Sequence, residues 1–308
     1  SYTHKFVGLQ PKMMSIDQWS DAIIAARTND GKGADDQWIQ YAKLAKAYKG
    51  GYIDLSVNPN PITAFGDVDD YVFMDTNWQD VLFGNAGSTQ HNLSVSGGND
   101  KSLYRLSVGY MYDDSNLKWG NNKNQRYNFR LSNTFHLTKN FDLESIIFYY
   151  RQDQVSPTQI GEALTAGTQQ PGFPSSTMDG KPYAWGNWAT PNWRCELGGD
   201  NKLNTSGINI SENLKYKLTS YLDAVVNLGY NTSTATRDAV KNSITWYTYD
   251  GTLSTAKPNA IYNPNQASTE YSKSFARTDY YSVSGYLNFH QTFAEKHTVS
   301  AMLGAQYN

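Results

Sequence analysis

The sequence predicts an all-β membrane protein, an antiparallel transmembrane β-barrel with a helical insertion near its N-terminus. Three observations carry that prediction. Aromatic residues make up 14% of the chain and charged residues only 18%, at a mean hydropathy of −0.62. A barrel that faces lipid outside and water inside has this polar, aromatic-rich composition. From about residue 90, apolar and polar residues alternate strictly, which gives each strand one apolar and one polar face. Tight turns also alternate with long connections, as in outer-membrane barrels with short turns on one rim and long loops on the other.

The same composition excludes several classes. The 23 Tyr, 12 Phe and 8 Trp argue against a disordered chain. No apolar run reaches the roughly eighteen residues of a membrane-spanning helix. A net charge of −2 gives no electrostatic case for nucleic acid. One cysteine, Cys195, rules out a disulfide scaffold and a cysteine-ligated structural zinc. A soluble β-sandwich shares the composition but rarely needs connections of about fifty residues.

Taken in order, Ser1–Val7 begins inside an alternating pattern and Ala301–Asn308 ends inside another, so both read as interior positions of a longer polypeptide. Residues 8–89 read as a helical and loop insertion. Ser15-Ile16-Asp17-Gln18 fits a capping box, followed by Trp19, Ile23 and Ile24 at helical spacing. A second helix is expected from Asp35 through Trp38, Tyr41, Leu44 and Tyr48 to a Gly50-Gly51 stop. Asn58-Pro59-Asn60-Pro61 reads as loop, and Asn77–Phe83 as a further helical turn. Residues 90–308 read as β-hairpins joined by tight turns at Gly97–Asp100, Thr138–Asn140, Thr219-Ser220 and Ala294–Lys296. Long connections, expected to be extracellular, fall at about 113–125, 152–204 and 232–278.

The apolar rows, such as Tyr104-Leu106-Val108-Tyr110 and Leu222-Ala224-Val226-Leu228-Tyr230, contain no Lys or Arg. Lipid demands this, because either costs roughly 2–4 kcal/mol at the bilayer midplane. Asn133 and Glu212 are the exceptions, and a bulge near Glu212 would turn it inward. The opposite row places Arg105, Arg130, Asp142, Glu144, Lys215, Asp223 and Asn288 toward the lumen.

Several spaced segments carry a family resemblance. His91–Lys101 (HNLSVSGGNDK) with Tyr104 and Ser107–Tyr110 resembles the early barrel hairpin of SusC/RagA-type TonB-dependent transporters of Bacteroidetes outer membranes. Thr76–Phe83 resembles the Trp-containing segment before that hairpin, and Arg126–Ser132 the strand after it. Phe293–His297 with Leu303-Gly304 resembles a later hairpin, with Ala305-Gln306 replacing its usual ending. The resemblance implies a barrel of about twenty-two strands, of which the roughly eight or nine counted here form a partial arc, the first part after the plug. The plug, the Ton box and the carboxypeptidase-like domain of that family have no counterpart within residues 1–308. It further implies a SusD-like surface lipoprotein partner, TonB as the energy-coupling partner, and an oligosaccharide or peptide cargo. No cofactor is implied.

Candidate site residues follow. Tyr183, Trp185, Trp188 and Trp193 crowd one long loop, and Trp246 and Tyr247 a second. Such rings stack on sugars or meet a partner, or else pack the loop on itself. Asp67, Asp69 and Asp70, with Asp75, offer oxygen ligands to calcium, but lack the glycine and distal glutamate of an EF-hand; a solvated acidic loop also accounts for them. No nucleophile motif of the G-x-S-x-G kind occurs, so the reading is a non-enzymatic importer rather than a hydrolase on a barrel. The alternatives are a passive porin or structural barrel and, outside the membrane, a soluble β-rich adhesin.

Overall fold

The computed structural model describes residues 1–8, 11–66, 68–161, 163–186, 188–254 and 269–308. The first strand, β1 (Tyr2–Lys5), leads into α1 (Ile16–Asn29), α2 (Gln37–Ala47), β2 (Tyr52–Asp54), β3 (Asp70–Val72) and α3 (Trp78–Leu82). Four long strands follow, β4 (Ala86–Asn99), β5 (Ser102–Asp114), β6 (Lys123–Thr138) and β7 (Phe141–Pro157). Then come the small β8 (Ala184–Trp185), β9 (Trp188–Ala189) and α4 (Pro191–Leu197). The chain ends with β10 (Asp200–Lys217), β11 (Leu222–Lys241), β12 (Glu270–Phe293) and β13 (His297–Tyr307).

The period-two segments build one nine-stranded sheet in the order β1-β4-β5-β6-β7-β10-β11-β12-β13, every pair antiparallel. Because β1 pairs with β4, the helical segment is the long connection between two neighbouring strands, spanning 6–85. The connection after β5 spans 115–122, that after β7 spans 158–199, and that after β11 is described over 242–254. All lie on one rim; the turns at 99–102, 138–141, 217–222 and 293–297 lie on the other.

The expected loop over 232–278 starts later and ends earlier than its sequence suggests. Thr232 to Lys241 pairs residue by residue with Asp279 back to Glu270. Thr232-Ser233-Thr234 and Thr236 put polar side chains on both faces there, so the hairpin continues into water without any hydrophobic alternation to announce it.

The apolar rows form one continuous outward face. Leu93 is 66% exposed, Val226 40% and Leu303 76%, a sheet of large aliphatic side chains that water-soluble surfaces do not carry. Tyrosines mark its upper edge: Tyr110 faces Tyr127, Tyr149 follows on β7, and Tyr230 stacks on Tyr281 at 4.8 Å. Phe141 with Tyr216, and Phe289 with Tyr221, mark its lower edge. Tyr127 stands opposite Arg151, whereas Tyr307 traces through Val283, Leu228 and Glu212 to Ser145. The girdle thus drops about one residue per strand, a stagger that corresponds to a strand tilt of roughly 35–40°. Phe141 and Tyr149 lie eight residues apart, as do Tyr281 and Phe289. At that tilt the apolar band is about 20 Å tall, the scale of an outer-membrane hydrocarbon layer. Outward-facing arginines appear only above the tyrosines, where Arg151 pairs with Asp153 at 3.0 Å and Arg277 with Asp279 at 2.9 Å.

Glu212 corrects one expectation. The register of β10 is continuous on both sides, so no bulge turns this side chain inward. It stays in the apolar band, where the Ser145 hydroxyl donates to Oε1 at 2.7 Å. Asn133 in the neighbouring position of the same row accepts from Ser102 Oγ at 3.1 Å.

The 293–297 turn holds Ala294 at φ 51° and Glu295 at φ 54°, both left-handed without glycine. They are the two central residues of a turn closed by Lys296 N donating to the Phe293 carbonyl at 3.1 Å, positions that favour Asn-Gly because a Cβ is strained there. We expect Glu295→Gly to stabilise the hairpin by about 1 kcal/mol, read as a higher temperature for loss of the compact gel form of the folded barrel.

Candidate functional site

On the rim of long connections all four contribute to one layer, the 115–122 connection through Leu117 and Trp119. Two local signals start it. Ser15 caps α1 in a full capping box with Gln18, and Asp36 caps α2 by accepting from Trp38 N and Ile39 N. The Arg27 guanidinium beside Asp36 holds that carboxyl below its usual range. The paired helices turn Ile16, Tyr41 and Ala45 inward onto Val72 and Phe73 of the β3 segment and onto Trp78 and Leu82 of α3. Phe173, Tyr183, Trp185 and Cys195 from the 158–199 connection complete the same core. Gly172 passes so close to Tyr41 that a Cβ would lie 2.9 Å from its hydroxyl, which lets Met74 N reach the Gly172 carbonyl at 2.8 Å. Trp78 Nε1 donates to the Gln170 carbonyl at 3.0 Å.

Asp70 is the centre of this layer. Only 3% exposed, its carboxylate accepts from Tyr183 Oη at 2.8 Å and from the Tyr249 backbone N–H at 2.7 Å. Its own carbonyl accepts from Trp185 Nε1 at 2.7 Å. One residue therefore ties the 6–85, 158–199 and 242–254 connections together. Burial pushes its pKa up to about 7 against the two donated hydrogen bonds, and Asp69 and Asp250 add to the rise. The Tyr183 hydroxyl is raised as well, by burial and by that carboxylate.

The aromatic candidates divide accordingly. Tyr183 and Trp246 are fully buried and Trp185 is 9% exposed, so these rings have no open face. Trp188 packs on Phe173 at 4.3 Å, and Trp193 sits against Trp119 at 5.5 Å and beside the second small core of Ala184, Ala189, Ile244 and Trp246. Tyr247 is half-buried, with Lys181 Nζ 5.0 Å above its ring. The rings thus fill the interior of the layer, because a loop of this length needs an apolar core of its own.

The acidic candidates are also engaged. Asp69 accepts from Ser254 Oγ at 2.9 Å, and Asp75 takes the Ile16 N–H at 2.9 Å and Lys49 at 3.3 Å. Asp67 lies outside the described residues. Among the described residues no group of three or more His, Cys, Asp or Glu is placed to hold a metal.

Arg105, Arg130, Glu144, Lys215 and Asn288 lie on the polar face of the sheet, on register rows with Ser132, Ser107, Thr134, Asp142 and Asp223 respectively. Near the turn rim the charges neutralise one another: His136 Nδ1 is 2.7 Å from Asp142, and Lys215 Nζ 3.6 Å from Asp223. Higher on the wall Arg126, which the alternation of its strand places beside Asn128 and Arg130, joins Arg105 and Arg130 around a shallow cleft. The sequence marks Asp70 only as a possible calcium ligand; its role as the tie between connections has no local signal, since its partners lie 113 and 179 residues away.

No protein-family model matches the chain. The TonB-dependent receptor SusC of Bacteroides thetaiotaomicron is 30% identical over 123 residues, 38% of this chain and 12% of that protein. Among solved structures, that of the RagAB peptide transporter superposes with a TM-score of 0.69 at 14% identity, covering 99% of this chain and 33% of that one. The closed-closed and open-open states of the RagAB peptide importer give TM-scores of 0.68 and 0.66 at 15% and 13% identity, with the same coverage. Sheet, girdles and rims together define a partial transmembrane β-barrel. Its fold is similar to that of the RagAB peptide transporter, part of its sequence is similar to SusC, and the chain spans about a third of the solved chains it matches and 12% of the curated relative.

Proposed function

We propose that this chain is the wall and part of the outer loop layer of an active importer that takes up oligosaccharides or peptides together with a SusD-like surface lipoprotein. The loop layer knotted at Asp70 is the observation that supports it most directly. A preorganised platform on the long-loop rim is what a docking lipoprotein and a captured cargo require. The likeness to SusC supports energy coupling through TonB, and nothing on the wall calls for covalent chemistry. Cargo would be held between lipoprotein and loops, admitted when a lumen-filling plug is moved, and released to the periplasm.

Two measurements test this. Uptake of candidate glycans and peptides by cells carrying the intact protein should stop when TonB is deleted; uptake that continues points to a passive pore. Deleting the 158–199 connection would unravel the shared core, so partner binding is better probed on its surface. We expect Val57→Glu, Met178→Glu and Leu253→Glu, all at exposed apolar positions, to abolish lipoprotein co-purification while the barrel still inserts. Unchanged co-purification would exclude this surface as the docking face.

A further inference from the structure

We propose that Arg105, Arg126 and Arg130 form a carboxylate-binding site on the lumen wall, so that the imported solute is anionic. This rests on the import reading above and narrows its cargo class.

The three side chains come from neighbouring strands and share one cleft with Asn92, Asn128 and Phe148. Arg130 stands opposite Ser107, Arg105 opposite Ser132, and Arg126 two rows nearer the loop rim, opposite Met111. Arg126 Nε donates to Asn128 Oδ1 at 3.1 Å and Arg130 Nε to Ser132 Oγ at 3.4 Å, contacts that orient each fork and leave its terminal nitrogens as open donors. Among the described residues none of the three has a carboxylate within 4.0 Å, unlike the paired charges near the turn rim.

Three like charges on one wall repel one another, and among the described residues no acid stands between them. Serines and asparagines stand there instead. A guanidinium fork matches a carboxylate in two parallel hydrogen bonds, and a concave wall of one sign concentrates anions. Phe148, in the register row of Arg130, adds an apolar floor for the rest of such a solute. The site lies level with the apolar band, within the passage a solute must travel.

The test uses the intact transporter. Ser107→Cys puts a thiol in the cleft, while the chain's own Cys195 is buried in the loop layer. Two methanethiosulfonate reagents of similar size, one a sulfonate and one a trimethylammonium, are compared, each rate divided by its rate with a free thiol. The sulfonate should react about tenfold faster, and citrate should slow it. Adding Arg105→Gln, Arg126→Gln and Arg130→Gln together should bring the ratio to one, with Arg130→Gln alone giving an intermediate value. Equal rates in the parent, or a preference that survives all three substitutions, would overturn the inference. So would failure of both reagents to react, since the wall would then be covered by another segment. TonB-dependence of uptake, measured in parallel, decides the import reading independently of this ratio.

Discussion

Replacing Asp70 by alanine should loosen the loop layer by about 2–4 kcal/mol, because it strands the Tyr183 hydroxyl and the Tyr249 N–H, two donors left without their acceptor. The effect should be local. Hydrogen exchange should quicken across 158–199 and 242–254 together, while β4 to β7 stay protected by their own ladders. Acceleration in only one of the two connections would mean that Asp70 is not their common tie. The same residue makes the layer respond to pH. Its folded pKa of about 7 lies above the ordinary value of roughly 3.9, so ionisation costs more in the folded layer than in an opened one. The stabilisation is fully present below the ordinary value and is lost as pH rises through about 7. Limited proteolysis of the 158–199 connection should therefore be slower on the acid side of neutrality than on the alkaline side. Asp70→Asn, which cannot ionise, should abolish that difference; a difference that persists would assign it to another group.

Val226→Arg should cost the inserted barrel about 2–4 kcal/mol, since this side chain sits near the middle of the apolar band on β11. Asn227→Arg, one residue along, should be nearly neutral because that side chain faces the wet lumen beside Ser284. Urea titration of the protein refolded into lipid vesicles measures both. Equal costs would contradict the assignment of faces. Glu212→Leu should move the other way, removing a carboxylate from the band at the loss of a single hydrogen bond from Ser145.

The alternation along β5, β6 and β10 to β13 made the barrel wall readable from the chain, because each strand's two faces meet different solvents and its side chains must obey both. The helix starts at Ser15 and near Asp36 were readable for a similar reason, since a cap is a local bond within a few residues. Above the tyrosine girdle that legibility ends. Thr232–Lys241 and Glu270–Thr278 meet water on both faces, so nothing in their pattern distinguishes a continued hairpin from a loop.

What the sequence determined by itself is therefore everything set by neighbours one, two or four residues away: strand faces, turns, caps and the absence of Lys and Arg from the lipid row. Only the tertiary structure decided which loops form one layer, that most of the candidate aromatics fill its core, and that Asp70 ties it. Those outcomes depend on pairs such as Asp70 and Tyr249, 179 residues apart, whose bond has no trace in local periodicity. The lumen wall lies between these cases. Alternation puts Arg105, Arg126 and Arg130 on the polar face, but only the register of β5 against β6 places them around one cleft.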